Sequence, residues 1–225
     1  MIFQNIYKRF RLKYLVVPPT PAIIKGKKHI ACIGDSTTFG AGVKGVLEQT
    51  WAYYLNQKLG DEYQVLNYGI NARTLQKEGD YPYINDKFYR ESKRGCADIY
   101  LIMLGTNDAK PYNWNAGRFE QQLDSFCDEY IRLKHHPRVI LMTPPHCFAD
   151  RVTGVVGFDI DGNILNNEVP EIVKRTAETK GLLNIDLNSL TSDHEEWFAD
   201  GVHPNAAGNY RIAEYIAEML SNTSN

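Results

Sequence analysis

The 225-residue chain is short of most features that would set a specialised class. It has four cysteines, Cys32, Cys96, Cys127 and Cys147, far apart and with no C-x-x-C pair. A disulfide framework is therefore not expected in a domain of this size, and reduced thiols fit a cytoplasmic protein. Charge is nearly balanced, with 25 Lys and Arg against 27 Asp and Glu, a formal net charge of −2. Nothing in that balance offers a surface for tracking phosphates, so no nucleic-acid partner is expected. No apolar run approaches the roughly 18 residues of a membrane span. Internal repeats and low-complexity segments are also missing, apart from the polar tail Ser221 to Asn225.

The amino-terminal segment lacks the marks of a secretory signal. Lys8, Arg9, Arg11 and Lys13 interrupt every apolar run, and Leu15-Val16-Val17 is too short for the roughly 7–15-residue core such a signal needs. Residues 1–27 read as an extension packed on the core or poorly ordered, with a basic surface anchor as the functional alternative. Residues 28–225 read as one domain.

What is present is an alternation of short apolar runs with helical patterns. Strands are expected at His29 to Ile33, Tyr63 to Asn67, Ile99 to Leu104, Arg138 to Met142 and Leu182 to Ile185. Several are continuously apolar, as parallel strands buried on both faces are. Helices are expected over about Glu48 to Leu59, Phe119 to Leu133, Val169 to Thr179 and Ala206 to Leu220. In the last, Ile212, Ala213, Ile216, Ala217 and Leu220 form one apolar stripe. The alternation predicts an α/β fold of three layers, with helices on both faces of a five-stranded, mostly parallel sheet. Between Gly157 and Asn167, apolar triplets flank Asp161-Gly162, and that pattern predicts a small surface hairpin.

In such sheets ligands bind beyond the carboxyl ends of the strands. The first strand ends in Gly34-Asp35-Ser36-Thr37, the second in Asn67-Tyr68-Gly69-Ile70-Asn71, and the third in Gly105-Thr106-Asn107-Asp108. Asp200-Gly201-Val202-His203-Pro204-Asn205 precedes the final helix. A hydroxyl, an amide, a glycine and an Asp/His pair thus open on one edge. Acyl transfer needs that set. A serine hydroxyl requires a base, usually histidine, and the imidazole requires a carboxylate to orient it. Asp200 lies three residues before His203, within reach across a turn at Gly201. The oxyanion needs donors, and the N–H groups of Ser36 and Gly69 with the Asn107 amide supply three. Taken singly, Gly-Asp-Ser is usually a turn and cap, and a histidine before proline is usually a surface residue. Jointly the four turns argue for a site, because each carries a required residue type at a strand or helix end.

These blocks resemble those of the SGNH, or GDSL-type, hydrolase superfamily, whose Ser, Gly, Asn and His correspond to Ser36, Gly69, Asn107 and His203. The resemblance spans about His29 to Leu220. It implies a flavodoxin-like sheet, no metal or organic cofactor, and ester hydrolysis through an acyl-enzyme. One departure is Ala72, where many members carry another small residue, often glycine. The chain lacks the Gly-x-Ser-x-Gly elbow of ordinary α/β-hydrolases, and its acid and histidine are adjacent, which disfavours that family.

The run Tyr68 to Thr74, with Gly105 to Lys110, is similar to bacterial acetylesterases that deacetylate carbohydrates, sialate O-acetylesterase-like proteins among them. That likeness implies a small-molecule or oligosaccharide ester as substrate. Loop aromatics suit sugar rings: Tyr81, Tyr83, Tyr112 and Trp114 follow strand ends, and Trp197 and Phe198 precede Asp200. Arg73, Tyr112 and Trp114 are candidate substrate contacts, with plain packing or a solvated arginine as the alternative. Other readings are a lysophospholipase or acyl-thioesterase of the same superfamily, and an inactive carbohydrate-binding domain. A metal phosphoesterase using Asp35, Asp108, Asp200 and His203 is a further alternative.

Overall fold

The computed structural model describes residues 20–44 and 48–222. Five parallel strands, in the order β2-β1-β3-β4-β5, form its sheet. They are β1 (Lys28–Gly34), β2 (Tyr63–Gly69), β3 (Ile99–Met103), β4 (Arg138–Met142) and β5 (Leu183–Ile185). The helices are α1 (Ser36–Phe39), α2 (Trp51–Leu59), α3 (Lys87–Arg94), α4 (Ala116–Ile131), α5 (Val169–Lys180), α6 (Leu187–Thr191) and α7 (Ala206–Asn222). This is the expected three-layer α/β arrangement, and the strand order reverses at β1.

The pleat sorts alternate residues of each strand into two cores. Ile30 and Cys32 of β1, Leu101 and Met103 of β3, and Ile140 and Met142 of β4 face Trp51 and Leu55 of α2 and Ile212 and Ile216 of α7. Ala31, Ile33, Tyr100, Ile102 and Leu141 face the other way, onto Phe119, Leu123 and Phe126 of α4 and Val169 and Val173 of α5. Burial on both faces is why these strands read as continuous apolar runs. The β1–β3 register pairs Gly34 with Met103, which brings the serine and asparagine turns out side by side.

Local chemistry sets the helix ends. The Thr50 hydroxyl accepts the Tyr53 N–H, so α2 starts three residues later than its apolar pattern. The Asn115 side chain accepts the Arg118 N–H and starts α4 before Phe119. Short helices α1, α3 and α6 escaped the periodicity reading because they run only four, eight and five residues.

The hairpin expected between Gly157 and Asn167 does not form. The Asp161 carboxylate instead accepts the N–H of Asn163 at 2.9 Å and of Ile164 at 3.2 Å. It thereby caps a helical stretch that runs through a π-turn at Ile164–Glu168 into α5. An Asp-Gly pair serves a cap as well as a turn, and the buried Ile164 and Leu165 decide for the helix. Positive φ falls earlier, on Phe158 and Asp159.

β1 begins at Lys28. Ahead of it, Ala22 and Ile24 bond through their backbone to the Gln64 side chain. The rest of the expected extension, residues 1–19, lies outside the described residues, as does most of the polar tail beyond Asn222. Cys32, Cys127 and Cys147 are buried and all four thiols are free. Among the described residues no helix is long and apolar enough to cross a membrane.

Candidate active site

Ser36 stands at the first position of α1, immediately beyond β1. The preceding Asp35 accepts the Thr37 N–H at 3.0 Å and caps this short helix. First-turn N–H groups have no intrahelical partner, so the Ser36 N–H is available to a ligand. Gly69 makes the packing of α1 possible. A Cβ there would lie 2.2 Å from Phe39 N and 2.6 Å from Thr38 C, both backbone atoms.

His203 Nε2 lies 2.9 Å from Ser36 Oγ. The Asp200 carboxylate accepts the His203 N–H at 2.7 Å, and its other oxygen lies 2.7 Å from Nδ1. An ionised carboxylate only accepts, so Nδ1 carries the proton and Nε2 of the neutral ring is the acceptor for the serine O–H. Burial works against the Asp200 charge. Hydrogen bonds from the His203 side chain, and from the N–H groups of His203 and Val202, outweigh it and hold the carboxyl below its usual value. The turn depends on Gly201, at φ 77°, where a Cβ would lie 2.3 Å from Phe148 O. The sequence places Ser36 and His203 167 residues apart; the fold closes that distance to one hydrogen bond.

Asn107 is buried beyond β3. Its Nδ2 donates to the Arg73 carbonyl at 3.2 Å, and its own carbonyl accepts from Asn113 Nδ2 at 2.9 Å. Each Asn amide nitrogen has two hydrogens, so one remains for a substrate. Asp108 takes a part that residue spacing did not reveal. Its carboxylate accepts the N–H groups of Leu75 and Gln76, each at 2.8 Å, and ties the loop after β2 to the loop after β3. Burial raises its pKa to about 6, against the opposing effect of those two N–H groups. Burial likewise raises Asp35.

The expected oxyanion donor Gly69 is engaged elsewhere, since its N–H donates to Asn67 Oδ1 at 2.8 Å. Three residues on, Ala72 has φ 66°. Its N–H has no bonded partner among the described residues, and the next peptide carbonyl is the one that Asn107 holds. The departure at Ala72 was the available signal: a position that often holds glycine is one where positive φ is required.

Arg73 is corrected as a substrate contact. Its guanidinium pairs with Asp86 through Nε and, at 3.1 Å, through Nη2, and donates to the Asn71 carbonyl at 2.9 Å. It is buried and committed to the loop's own structure. Trp114 packs on Phe119 with ring centroids 5.2 Å apart, and its Nε1–H donates to Glu168. Tyr83 and Phe198 are buried, and the Tyr83 hydroxyl donates to the Tyr68 carbonyl. Tyr112 alone of the three candidate contacts is widely exposed. Among the described residues no three His, Cys, Asp or Glu side chains are grouped to hold a metal ion, so Asp35, Asp108, Asp200 and His203 do not form a ligand set.

The chain is similar to known proteins over nearly its whole length. An acetylxylan esterase of Xylanibacter ruminicola is 31% identical over 93% of this chain and 45% of its own length. The chain thus spans less than half of that relative. Among solved structures, an inhibitor-bound aryl esterase of M. smegmatis superposes with TM-score 0.73 at 20% identity, covering 87% of this chain and 99% of that one. A carbohydrate acetylesterase from Sinorhizobium meliloti gives TM-score 0.69 at 23% identity, covering 87% and 99%. At those identities the structures speak for the fold. The family model described as GDSL-like Lipase/Acylhydrolase matches residues 32–211, which run from within β1 into α7 and include every block of the site. The chain belongs to the GDSL-like lipase/acylhydrolase family.

Proposed function

We propose that the protein is a serine esterase that removes acetyl groups from carbohydrates through an acyl-enzyme. The observation that carries this reading is the continuous Ser36–His203–Asp200 chain of contacts at the carboxyl edge of the sheet, 2.9 Å and 2.7 Å long.

In the first step Ser36 Oγ attacks the ester carbonyl while His203 Nε2 takes its proton. Asp200, kept ionised, fixes the ring and stabilises the imidazolium. Charge on the former carbonyl oxygen meets the Ser36 N–H, the free Asn107 Nδ2–H and the Ala72 N–H. The C–O bond to the alcohol then breaks, and the imidazolium returns its proton to the departing alkoxide. Water, deprotonated by His203, attacks the acyl-serine, and acetate leaves as Ser36 recovers its proton.

The acetyl and carbohydrate parts of the reading draw support from the acetylxylan esterase relative and the carbohydrate acetylesterase neighbour. An acyl series from acetate to palmitate, as p-nitrophenyl esters run beside acetylated xylan, tests both parts. The expected result is a maximum at acetate, acetate release from xylan, and loss of both activities in Ser36→Ala. Rates that rise with chain length would favour a lysophospholipase or acyl-thioesterase instead. Unchanged turnover in Ser36→Ala would remove the serine mechanism.

A further inference from the structure

Phe158 and Asp159, consecutive non-glycine residues, adopt left-handed backbone angles of 64° and 60°. A bulky side chain is an outlier in that region, and the turn exists because both its flanks are fixed. Val156 and Ile160 are buried in the core, and the Asp161 N–H donates to the Ala109 carbonyl at 3.0 Å. Held this way, the Phe158 ring stands against the His203 imidazole, centroids 5.0 Å apart and planes at 80°. Phe158 nonetheless remains 50% exposed.

Orientation of His203 does not account for this contact, because Asp200 already holds the residue at its N–H and at Nδ1. Burial does not account for it either, since half of the residue faces solvent. What the position does provide is a free aromatic flank beside the group that must hand a proton to the leaving alkoxide. The departing alcohol has to lie next to the imidazole, and Phe158 stands there. A cleft of about 530 Å³ adjoins the same turn, lined by Gly157, Asp200, Gly201, Phe148, Arg151 and Phe198.

Resting on the esterase reading above, we propose that Phe158 is a specificity-determining wall of the alcohol-side subsite, against which a ring-shaped alcohol lies. A sugar ring presents a flat C–H face that buries apolar surface on an aromatic neighbour. An open two-carbon alcohol presents little.

The test compares kcat/KM for cyclohexyl acetate and ethyl acetate in the full chain, in Phe158→Ala, in Phe158→Gly and in Phe158→Tyr. Glycine accepts the positive φ, so its variant removes the ring without adding backbone strain. Thermal unfolding of each variant checks the fold. The cyclohexyl-to-ethyl ratio should fall about five- to tenfold in the Ala and Gly variants, chiefly through KM, and stay within about twofold in Tyr. An unchanged ratio in Ala and Gly overturns the proposal, whether both rates persist or both fall together. In the latter case Phe158 acts through His203. A wild-type protein that hydrolyses neither ester refutes the esterase reading and this subsite with it. One that hydrolyses both esters but releases no acetate from xylan refutes only the carbohydrate assignment, and the ratio still decides on Phe158.

Discussion

Asp200 grips His203 at two points, its backbone N–H and its Nδ1, each at 2.7 Å. Asp200 Oδ1 accepts the Val202 and His203 N–H groups, so in Asp200→Asn the amide oxygen stays with them and the NH2 group faces Nδ1 as a donor. The ring then carries its proton on Nε2, which stops being the acceptor for the serine proton. We expect kcat to fall about 10²–10⁴-fold with the fold retained, measured on p-nitrophenyl acetate beside circular dichroism. A fall of less than threefold would detach Asp200 from the mechanism.

Asn107 spends one amide hydrogen on the Arg73 carbonyl, and the proposed mechanism uses the other at the oxyanion. Asn107→Ala should lower kcat about 10²–10³-fold with little change in KM, since the lost bond strengthens only as charge develops. Steady-state kinetics on a soluble acetate ester give that split. A rise in KM at constant kcat would place Asn107 in ground-state binding instead.

Two small residues, Gly69 at the end of β2 and Ala72 in the loop after it, should respond in opposite ways. Gly69→Ala drives a Cβ into the backbone of Thr38 and Phe39, which carry the serine helix. It should cost about 1–3 kcal/mol or more and lower turnover by displacing Ser36. Ala72→Gly relieves a positive φ and should match or exceed wild-type stability while keeping activity. Urea unfolding with parallel rate measurements distinguishes the two, and a destabilised Ala72→Gly would contradict the strained backbone.

Arg73 is buried and its partner Asp86 partly buried, so the pair holds the loop's own structure. Arg73→Met leaves Asp86 uncompensated and should cost about 1–3 kcal/mol, much of it recovered in Arg73→Met/Asp86→Leu. Equilibrium unfolding of the three variants tests this. A KM that rises for an anionic ester alone, in a variant of unchanged stability, would return Arg73 to substrate recognition.

The Asp108 carboxyl titrates near 6 in the folded chain, against an ordinary value of 3.8. A carboxyl with a raised folded pKa binds more protons folded than unfolded between those values. Its contribution to stability therefore falls as pH rises through the window from about 4 to 6, by an amount on the order of 3 kcal/mol. Asp108→Asn should flatten that part of the stability–pH curve. It should also lose stability at every pH, because one amide oxygen cannot serve both the Leu75 and Gln76 N–H groups. Equal slopes in the two proteins would show that Asp108 does not titrate there.

Much of this protein was legible in the chain. Unbroken apolar runs such as Ile99 to Met103 mark strands buried on both faces, and their alternation with amphipathic helices dictates a parallel, two-sided sheet. Ser36, Asn107, Asp200 and His203 were visible as candidates because each lies just beyond a strand or just ahead of a helix, where that topology opens its ligand edge. Choices made by long-range partners were not visible. Gly69 and Ala72 look alike in sequence, but the Asn67 side chain, anchored on the distant Thr38 carbonyl, takes the Gly69 N–H, while that of Ala72 has no bonded partner among the described residues. Arg73 reads as a surface arginine until Asp86 meets it. Asp161-Gly162 reads as a turn until buried Ile164 and Leu165 draw the segment into a helix. Local pattern determined the elements and the kinds of residue at their ends, because both follow from burial periodicity and backbone preference. Tertiary structure decided which donor faces which acceptor, because that depends on side chains distant in sequence competing for the same buried groups.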